Sequence, residues 1–277
     1  MSTQVEKADL FFKLHQEGAA LLLLPNAWDV ASAKVFEAAG FPAVATTSAG
    51  VAFANGYPDG QKISRDEMLS HIKRMASVLN VPLNADIEGG YGPTPADVAA
   101  TVKGVVEAGA AGINLEDNNG QPNALFGVEA QENRIKAARD ASGKALVINA
   151  RTDVFLHQVG PEASRLEETI FRAKAYLSAG ADSIFVPGVV DKATIETLVK
   201  AIAAPVNIMA GPGAPSAREL FAMGVRRVSV GVAAMLATMG LMREIAHELR
   251  DSGTYEHIAK HPYSYGEASL LFSRKSE

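Results

Sequence analysis

The residues best suited to chemistry in this 277-residue chain open with Val81-Pro-Leu-Asn-Ala-Asp-Ile-Glu-Gly-Gly-Tyr-Gly92. Asp86 and Glu88 interrupt an apolar run, and three glycines follow, the pattern of a buried strand ending in a polar site and a tight turn. A carboxylate at the mouth of a buried strand costs free energy unless something compensates it, and a bound cation is one such compensator. The alternative is that Asp86 caps the turn while Glu88 stays in water. The same layout recurs at Leu115-Glu-Asp117 and at Asn149-Ala-Arg-Thr-Asp153, so acids and an arginine stand at the ends of three successive apolar runs.

Eight such runs position these groups: 20–24, 43–47, 81–86, 112–116, 145–151, 183–186, 206–209 and 227–230. Between them lie segments of helical spacing at 28–39, 64–79, 95–108, 128–141, 163–179, 191–202, 216–223 and 232–251. Ser64 with Glu67, Thr94 before Pro95, and Ser216 with Glu219 are helix starts, and glycines such as Gly109 and Gly180 mark helix ends. Strict alternation of eight strands and eight helices predicts a (β/α)8 TIM barrel over about 20–250, in one domain spanning 1–277. An open doubly wound sheet is the competitor, but no Gly-x-Gly-x-x-Gly follows the first strand. A helix over 5–17, with Leu10, Phe11 and Leu14 on one face, precedes the barrel. A C-terminal extension, 253–277, carries Tyr255, Tyr263, Tyr265, Leu270, Leu271 and Phe272, which the barrel does not need. That content is expected to be buried against something, a partner subunit being one candidate. Residues 118–127 form a polar loop long enough to be a lid.

Barrels of this kind hold their chemistry at the carboxyl ends of the strands. Those ends carry Asn26 and Trp28; Thr46, Thr47, Ser48, Ala49 and Gly50; Asn84, Asp86 and Glu88; Glu116 and Asp117; Asn149, Arg151 and Asp153; and Asn207. Asp86, Glu88 and Glu116 repel one another unless a cation sits among them, and oxygen-only donors point to Mg2+ or Mn2+. In the competing reading, Arg151 simply neutralises Asp86 or Glu116 in a buried salt-bridge cluster. A cation together with Arg151 and the Ser48-Ala49-Gly50 amides suits a 2-oxo acid, with Thr46, Asp86 and Asn207 completing the substrate site. Chelation of that kind stabilises an enolate without a residue nucleophile.

Composition narrows the choice. The chain has no cysteine, which removes disulfides, thiolate metal sites and thiol catalysis. No lysine falls on the eight strands, against a Schiff-base aldolase. The six histidines (His15, His71, His157, His247, His257 and His261) avoid the strand ends apart from His157 in a loop, and are expected at the surface rather than around zinc. A net charge of −5 without a basic run argues against nucleic acid. With no signal peptide or membrane-length apolar run, a cytoplasmic protein is expected.

Taken together, Asn84-Ala-Asp-Ile-Glu-Gly-Gly-Tyr-Gly92, Leu115-Glu-Asp117, Ala150-Arg-Thr-Asp153, Thr47-Ser-Ala-Gly50 and Tyr57-Pro-Asp59 resemble motifs of the isocitrate lyase/phosphoenolpyruvate mutase superfamily. The resemblance runs in order from about 20 to 250. It implies a (β/α)8 barrel, Mg2+, a small 2-oxo acid substrate and a mobile loop after strand four. It also implies a homotetramer in which a C-terminal helix packs on a neighbouring subunit, and a homo-oligomer, dimer or tetramer, is expected. By position, Asp86 would be the main metal ligand, with Glu116 and Asp59 acting through water. Ser48, Ala49 and Gly50 would hold the carboxylate, and Arg151 would bind substrate oxygens, making Arg151 and Asp59 the catalytic pair. The superfamily's isocitrate and methylisocitrate lyases carry a lid with a reactive cysteine. This chain has Gly120-Gln-Pro-Asn-Ala124 there, which excludes that route. Asn84 replaces a family aspartate, and Glu88 adds a carboxylate nearby. The function expected is a Mg2+-dependent lyase that breaks or forms a carbon–carbon bond in a 2-oxo acid or 2-hydroxy diacid through a metal-stabilised enolate. The alternatives are a phosphonomutase acting on a phosphorus–carbon bond and a non-catalytic 2-oxo acid binding protein.

Overall fold

The computed structural model describes residues 3–16, 21–121, 123–260 and 263–273. Its strand segments are β1 (Leu22–Leu24), β2 (Asn26–Ala27), β3 (Val44–Thr46), β4 (Leu83–Asp86), β5 (Gly112–Glu116), β6 (Val147–Arg151), β7 (Ser183–Val186), β8 (Val206–Met209) and β9 (Arg227–Ser229). All pair in parallel, in the order β1-β9-β8-β7-β6-β5-β4-β3-β2. Pro25 parts β1 from β2 because it has no N–H to give the ladder. The two segments are one strand bonded to β9 on one side and β3 on the other, so the sheet closes as a (β/α)8 barrel. Asn26 pins the seam: its amide nitrogen donates to the Thr46 carbonyl at 2.9 Å, and its oxygen accepts from the Val230 and Gly231 amides at 3.0 Å.

The helices are α1 (Gln4–Leu14), α2 (Val30–Ala38), α3 (Ser48–Ala54), α4 (Arg65–Val78), α5 (Pro95–Ala108), α6 (Val128–Ser142), α7 (Glu162–Ser178), α8 (Lys192–Ala201), α9 (Ala217–Ala222), α10 (Ala233–Asp251), α11 (Glu256–Lys260) and α12 (Tyr265–Phe272). Those between strands follow the predicted alternation. Ser64 with Glu67, Thr94 with Asp97 and Ser216 with Glu219 form reciprocal capping boxes, each satisfying N–H groups that a helix start leaves bare. Gly109 ends α5 at φ 87°, where a side chain would be strained. The extra helix between strands is α3, in a stretch outside the predicted helical segments. Thr47 caps it by accepting from the Gly50 amide. No helix among the described residues is long and apolar enough to cross a membrane.

Alternation along the strands sorts the barrel into an outer and an inner face. Ala85, Ile87, Ile113, Leu115, Ile148, Ala150, Ile184, Val186, Ile208 and Val228 belong to the large apolar cluster shared with the helices. Burying each of the larger ones contributes about 1.5–3 kcal/mol. The inner face is polar: Asn84, Asn114, Asn149, Ser183, Asn207 and Arg227 are 0–3% exposed and bonded to one another. Below that layer, Ala8 and Phe11 of α1 join Leu22, Leu24, Ala43, Ala45, Ala111 and Val147 as the barrel floor. Gln4 tightens the floor by donating to the carbonyls of Ala110 and Ala145.

Two expectations for α1 are corrected. Leu10 is 46% exposed, because the buried face runs through Ala8, Phe11 and His15 instead. His15 is not at the surface: it is 2% exposed, edge-on to Phe11, with Nδ1 at 2.8 Å from the Phe11 carbonyl and Nε2 without a partner. Glu17, Ala20 and His261, to which the sequence assigns a helix end, a strand start and a surface position, lie outside the described residues. Burial and the Arg227 charge pull the His15 pKa from 6.5 down to about 3. A depressed histidine contributes stability that is full above its unfolded value and lost as pH falls toward the folded one. Unfolding free energy should therefore drop by about 1.4 kcal/mol between pH 7.5 and 5.5 from this group alone. Denaturant titrations at those two pH values check it against His15→Gln, and parallel profiles would refute it.

The C-terminal extension is helical but not covered. Along α10 and the helices beyond it, Met242 is 64%, Tyr265 90% and Leu270 73% exposed. Leu271 is half-buried, whereas the burial expected of Tyr265 and Leu270 is not supplied by the described residues.

Candidate active site

Asp86 ends β4 pointing into the barrel mouth, two residues above Asn84 on the same face. Thr46 positions it from β3, its hydroxyl accepting the Asp86 amide N–H at 2.8 Å. Ser48, first residue of α3, holds the carboxylate: its hydroxyl donates to Oδ2 at 3.0 Å and its amide at 3.4 Å. Gly50 lets this turn close, because a Cβ there would lie 2.5 Å from Thr47 Cγ2 and 3.0 Å from Trp28 Cβ. Ala49 is half-buried beside it.

Arg151 ends β6 in register with Glu116 at the end of β5. Its Nη1 lies 3.0 Å from Glu116 Oε2, while Nε and Nη2 grip both oxygens of Asp153 at 2.6 and 3.0 Å. That fork fixes the guanidinium plane and leaves the remaining N–H bonds for a ligand. Asp153 is itself fixed, since its amide donates to Asp117 Oδ1 at 2.9 Å. Asp117 is buried beneath the lid root, taking bonds from the Tyr176 hydroxyl at 2.7 Å and Arg172 at 3.3 Å. Of the two readings of Arg151, neutralisation therefore applies to Glu116. Among the described residues no lysine or arginine pairs directly with Asp86 or Glu88.

The electrostatics reflect that shortage of positive charge. Burial raises the Asp86 carboxyl above its ordinary range, opposed by Arg151 and Ser48. Burial raises Glu116 as well, against the pull of Arg151. Glu88 is pushed up to about 8 by burial, then by Asp86 and Asp59. Arg151 is held strongly charged: burial works against it, but Asp153, Glu116 and Asp86 outweigh that. Glu88 stands at φ 51°, with Oε2 accepting the Gln61 amide at 2.6 Å and Oε1 buried without a partner. Strained backbone and an orphaned carboxylate oxygen mark a place that something else completes.

No three histidine, aspartate or glutamate side chains among the described residues converge tightly enough to enclose an ion by themselves. An all-oxygen set with an unpaired buried Glu88 oxygen still fits a hard divalent ion such as Mg2+, which keeps several waters and takes few protein ligands. Asp59 is exposed on its loop and acts on Glu88 by charge alone. Asn207 stands elsewhere, wholly buried in the interior layer. It accepts from Asn149 at 3.1 Å and donates to Ser229 at 3.1 Å.

A sequence model of the family described as phosphoenolpyruvate phosphomutase matches residues 11–250. The 2-methylisocitrate lyase of Escherichia coli K12 is 31% identical over 233 residues, covering 79% of this chain and 77% of that one. The chain belongs to the isocitrate lyase/phosphoenolpyruvate mutase superfamily. Among solved structures, oxaloacetate acetylhydrolase in complex with oxalate aligns at TM-score 0.86 and 26% identity, covering 98% of this chain and 95% of that one. 2,3-Dimethylmalate lyase aligns at TM-score 0.81 and 27% identity, covering 98% and 94%. The protein is thus a lyase or mutase of this superfamily.

Several supports of this superfamily site escaped the sequence reading. Gln61 fixes both the Glu88 carboxylate and, through its side chain, the Tyr91 amide at 2.7 Å. Arg134 of α6 donates to the carbonyls of Gly89 and Gly92, tying the glycine turn to α6, and its guanidinium sits 4.1 Å over the Phe126 ring at the end of the lid. Asn118, at the lid root, receives the Gly120 amide on its oxygen and points its nitrogen at His157 Nε2, 3.0 Å away. His157, in the loop after β6 with its side chain 36% exposed, is also 3.6 Å from Asp153, so it borders the site from the surface. Spacing offered one signal, Asp153 and His157 four apart after a strand. Pro122 of the lid lies outside the described residues.

Proposed function

We propose that the protein is a Mg2+-dependent lyase acting on a small 2-oxo acid or 2-hydroxy diacid, breaking or forming the carbon–carbon bond beside the keto group. The observation that supports this most is the meeting of Asp86, Glu116 and Arg151 at the barrel mouth, with Asp86 and Glu88 left without a paired cation. Asp86 would hold the ion, with Glu88 and Glu116 around it and Asp59 acting through water. When bound, Mg2+ supplies Lewis-acid polarisation of a keto oxygen. The chain does the rest. Arg151, its plane fixed by Asp153, offers its free N–H groups to the substrate's oxygens. Ser48 and the half-buried turn at Ala49 and Gly50 close over the substrate carboxylate. Glu116 and Asp86 are buried, which limits the access of bulk solvent to charge that develops there.

The decisive experiment assays oxaloacetate and 2-hydroxy diacids with Mg2+, with Mn2+, and after chelation. Turnover should vanish in excess chelator and return with Mg2+; persistence without free metal would sink the reading. A phosphonomutase is the second reading, drawing on the family match over residues 11–250. Phosphorus NMR of phosphonopyruvate incubations separates it from the lyase. Binding of 2-oxoglutarate, pyruvate or oxaloacetate by calorimetry, with no product from any of them, would instead favour the 2-oxo acid binder that the absent lid thiol suggests.

A homo-oligomer belongs to the same proposal. Its support is the uncovered apolar side of α10 to α12, where Met242, Tyr265 and Leu270 face outward. Sedimentation equilibrium should give a dimer or tetramer, and a monomer at micromolar concentration would count against it.

A further inference from the structure

One layer beneath Asp86, the barrel interior holds a cation with no carboxylate against it. Arg227 of β9 is 0% exposed. Its Nη1 donates to Asn84 Oδ1 at 3.3 Å and Nη2 to Asn114 Oδ1 at 3.0 Å, Nε has no partner, and Cζ lies 5.8 Å from the Phe11 ring centroid. The amides that receive it are neutral. They pass hydrogen bonds on to Asn149, Asn207 and Ser183 but take none of the charge away. Asn84 and Asn114 precede Asp86 and Glu116 by two residues on the same faces of β4 and β5. Each acid therefore stands about 7 Å above the amide that binds the guanidinium.

A buried, unpaired charge costs several kcal/mol relative to a well-packed apolar side chain. Folding alone gives no reason to keep it, and an acid at position 84 or 114 would have neutralised it. What remains is its field. The interior amides and Phe11 keep water away from it, so the charge is poorly screened upward, toward the mouth. Burial lowers the Arg227 pKa to about 9, with Asp86 supporting the charged form, so it stays a cation at neutral pH.

We infer that Arg227 is a positioning residue for ligands at the barrel mouth: its buried charge draws an anionic, oxygen-rich substrate down onto the site and limits how tightly a cation is held there. The inference rests on the proposed 2-oxo acid site and adds an electrostatic determinant to it. A unit charge at roughly 8 Å, with an effective dielectric of about 20, is worth roughly thirtyfold in affinity for a singly charged ligand and more for a doubly charged one.

The test measures Mn2+ binding by the paramagnetic resonance of free Mn2+, and oxalate binding by calorimetry at saturating Mg2+. Arg227→Gln should bind Mn2+ at least about thirtyfold more tightly and oxalate at least about thirtyfold more weakly. Arg227→Lys should restore both toward wild type. Asn114→Asp keeps the arginine and all three donors to Oδ1, from Asn84, Asn149 and Arg227, while setting a carboxylate against the charge. It should reproduce both shifts, and it decides the matter alone if Arg227→Gln does not fold. Damage to packing would weaken both ligands together. That result, or no change in either, overturns the inference while leaving the proposed function standing. A wild-type protein that binds neither Mn2+ nor oxalate sinks the proposed function, and the inference falls with it.

Discussion

Arg151→Met is expected to lose at least about 100- to 1,000-fold in turnover and to destabilise the fold by about 3–5 kcal/mol. The two losses have separate causes. Turnover falls because the oriented donors for substrate oxygens are gone. Stability falls because Asp153, whose side chain is 0% exposed, and Glu116, at 9%, lose the one cation that touches both. Arg151→Lys separates them: a point charge restores part of the stability, but it cannot grip both Asp153 oxygens and so does not fix a plane for the substrate. Denaturant unfolding alongside steady-state kinetics reads both quantities. A stable, fully active methionine variant would end the assignment.

Asp86→Asn should behave in the opposite manner. Its Oδ1 can still accept the Ser48 hydroxyl, and removing a buried carboxylate that no cation pairs relieves a cost instead of creating one. Unfolding free energy is expected to stay within about 1 kcal/mol of wild type or to rise. Turnover should fall about 1,000-fold or more, and divalent-ion affinity with it, since the ion would lose its main anionic ligand. Retained Mn2+ binding in this variant would move the ion to Glu88 and Glu116, and unimpaired turnover would remove it from the reaction.

The barrel was legible because each strand and each helix announces itself locally. Ser64 with Glu67 and Thr94 with Pro95 state where helices begin, and the apolar runs between them have strand length. The acids and Arg151 were legible because charge at the end of a buried run is costly and so is seldom idle. What did not show was whatever depends on the far side of the chain. Arg227 meets Asn84 across 143 positions, and a strand buried on both faces gives no alternation to say which side chains point inward. Asn207 carried no local sign that its amide was already committed to the interior. His15 looked like any polar residue on a surface helix until Phe11 turned that face into the barrel. Thr47-Ser-Ala-Gly50 carried no helix signal because its helix is short and its cap, Thr47, sits amid other small residues.

The floor of the barrel has a consequence for how the molecule comes into being. Phe11 and His15 leave the ribosome ahead of every strand, whereas Arg227, whose guanidinium they face, emerges more than 200 residues later. Until that last segment arrives, the first helix has no finished seat. The asparagines above it have no cation to organise them, and the cylinder stays open along the seam that Asn26 will close with Val230 and Gly231. Completion of the mouth thus depends on the first helix and the last strand meeting at the opposite pole.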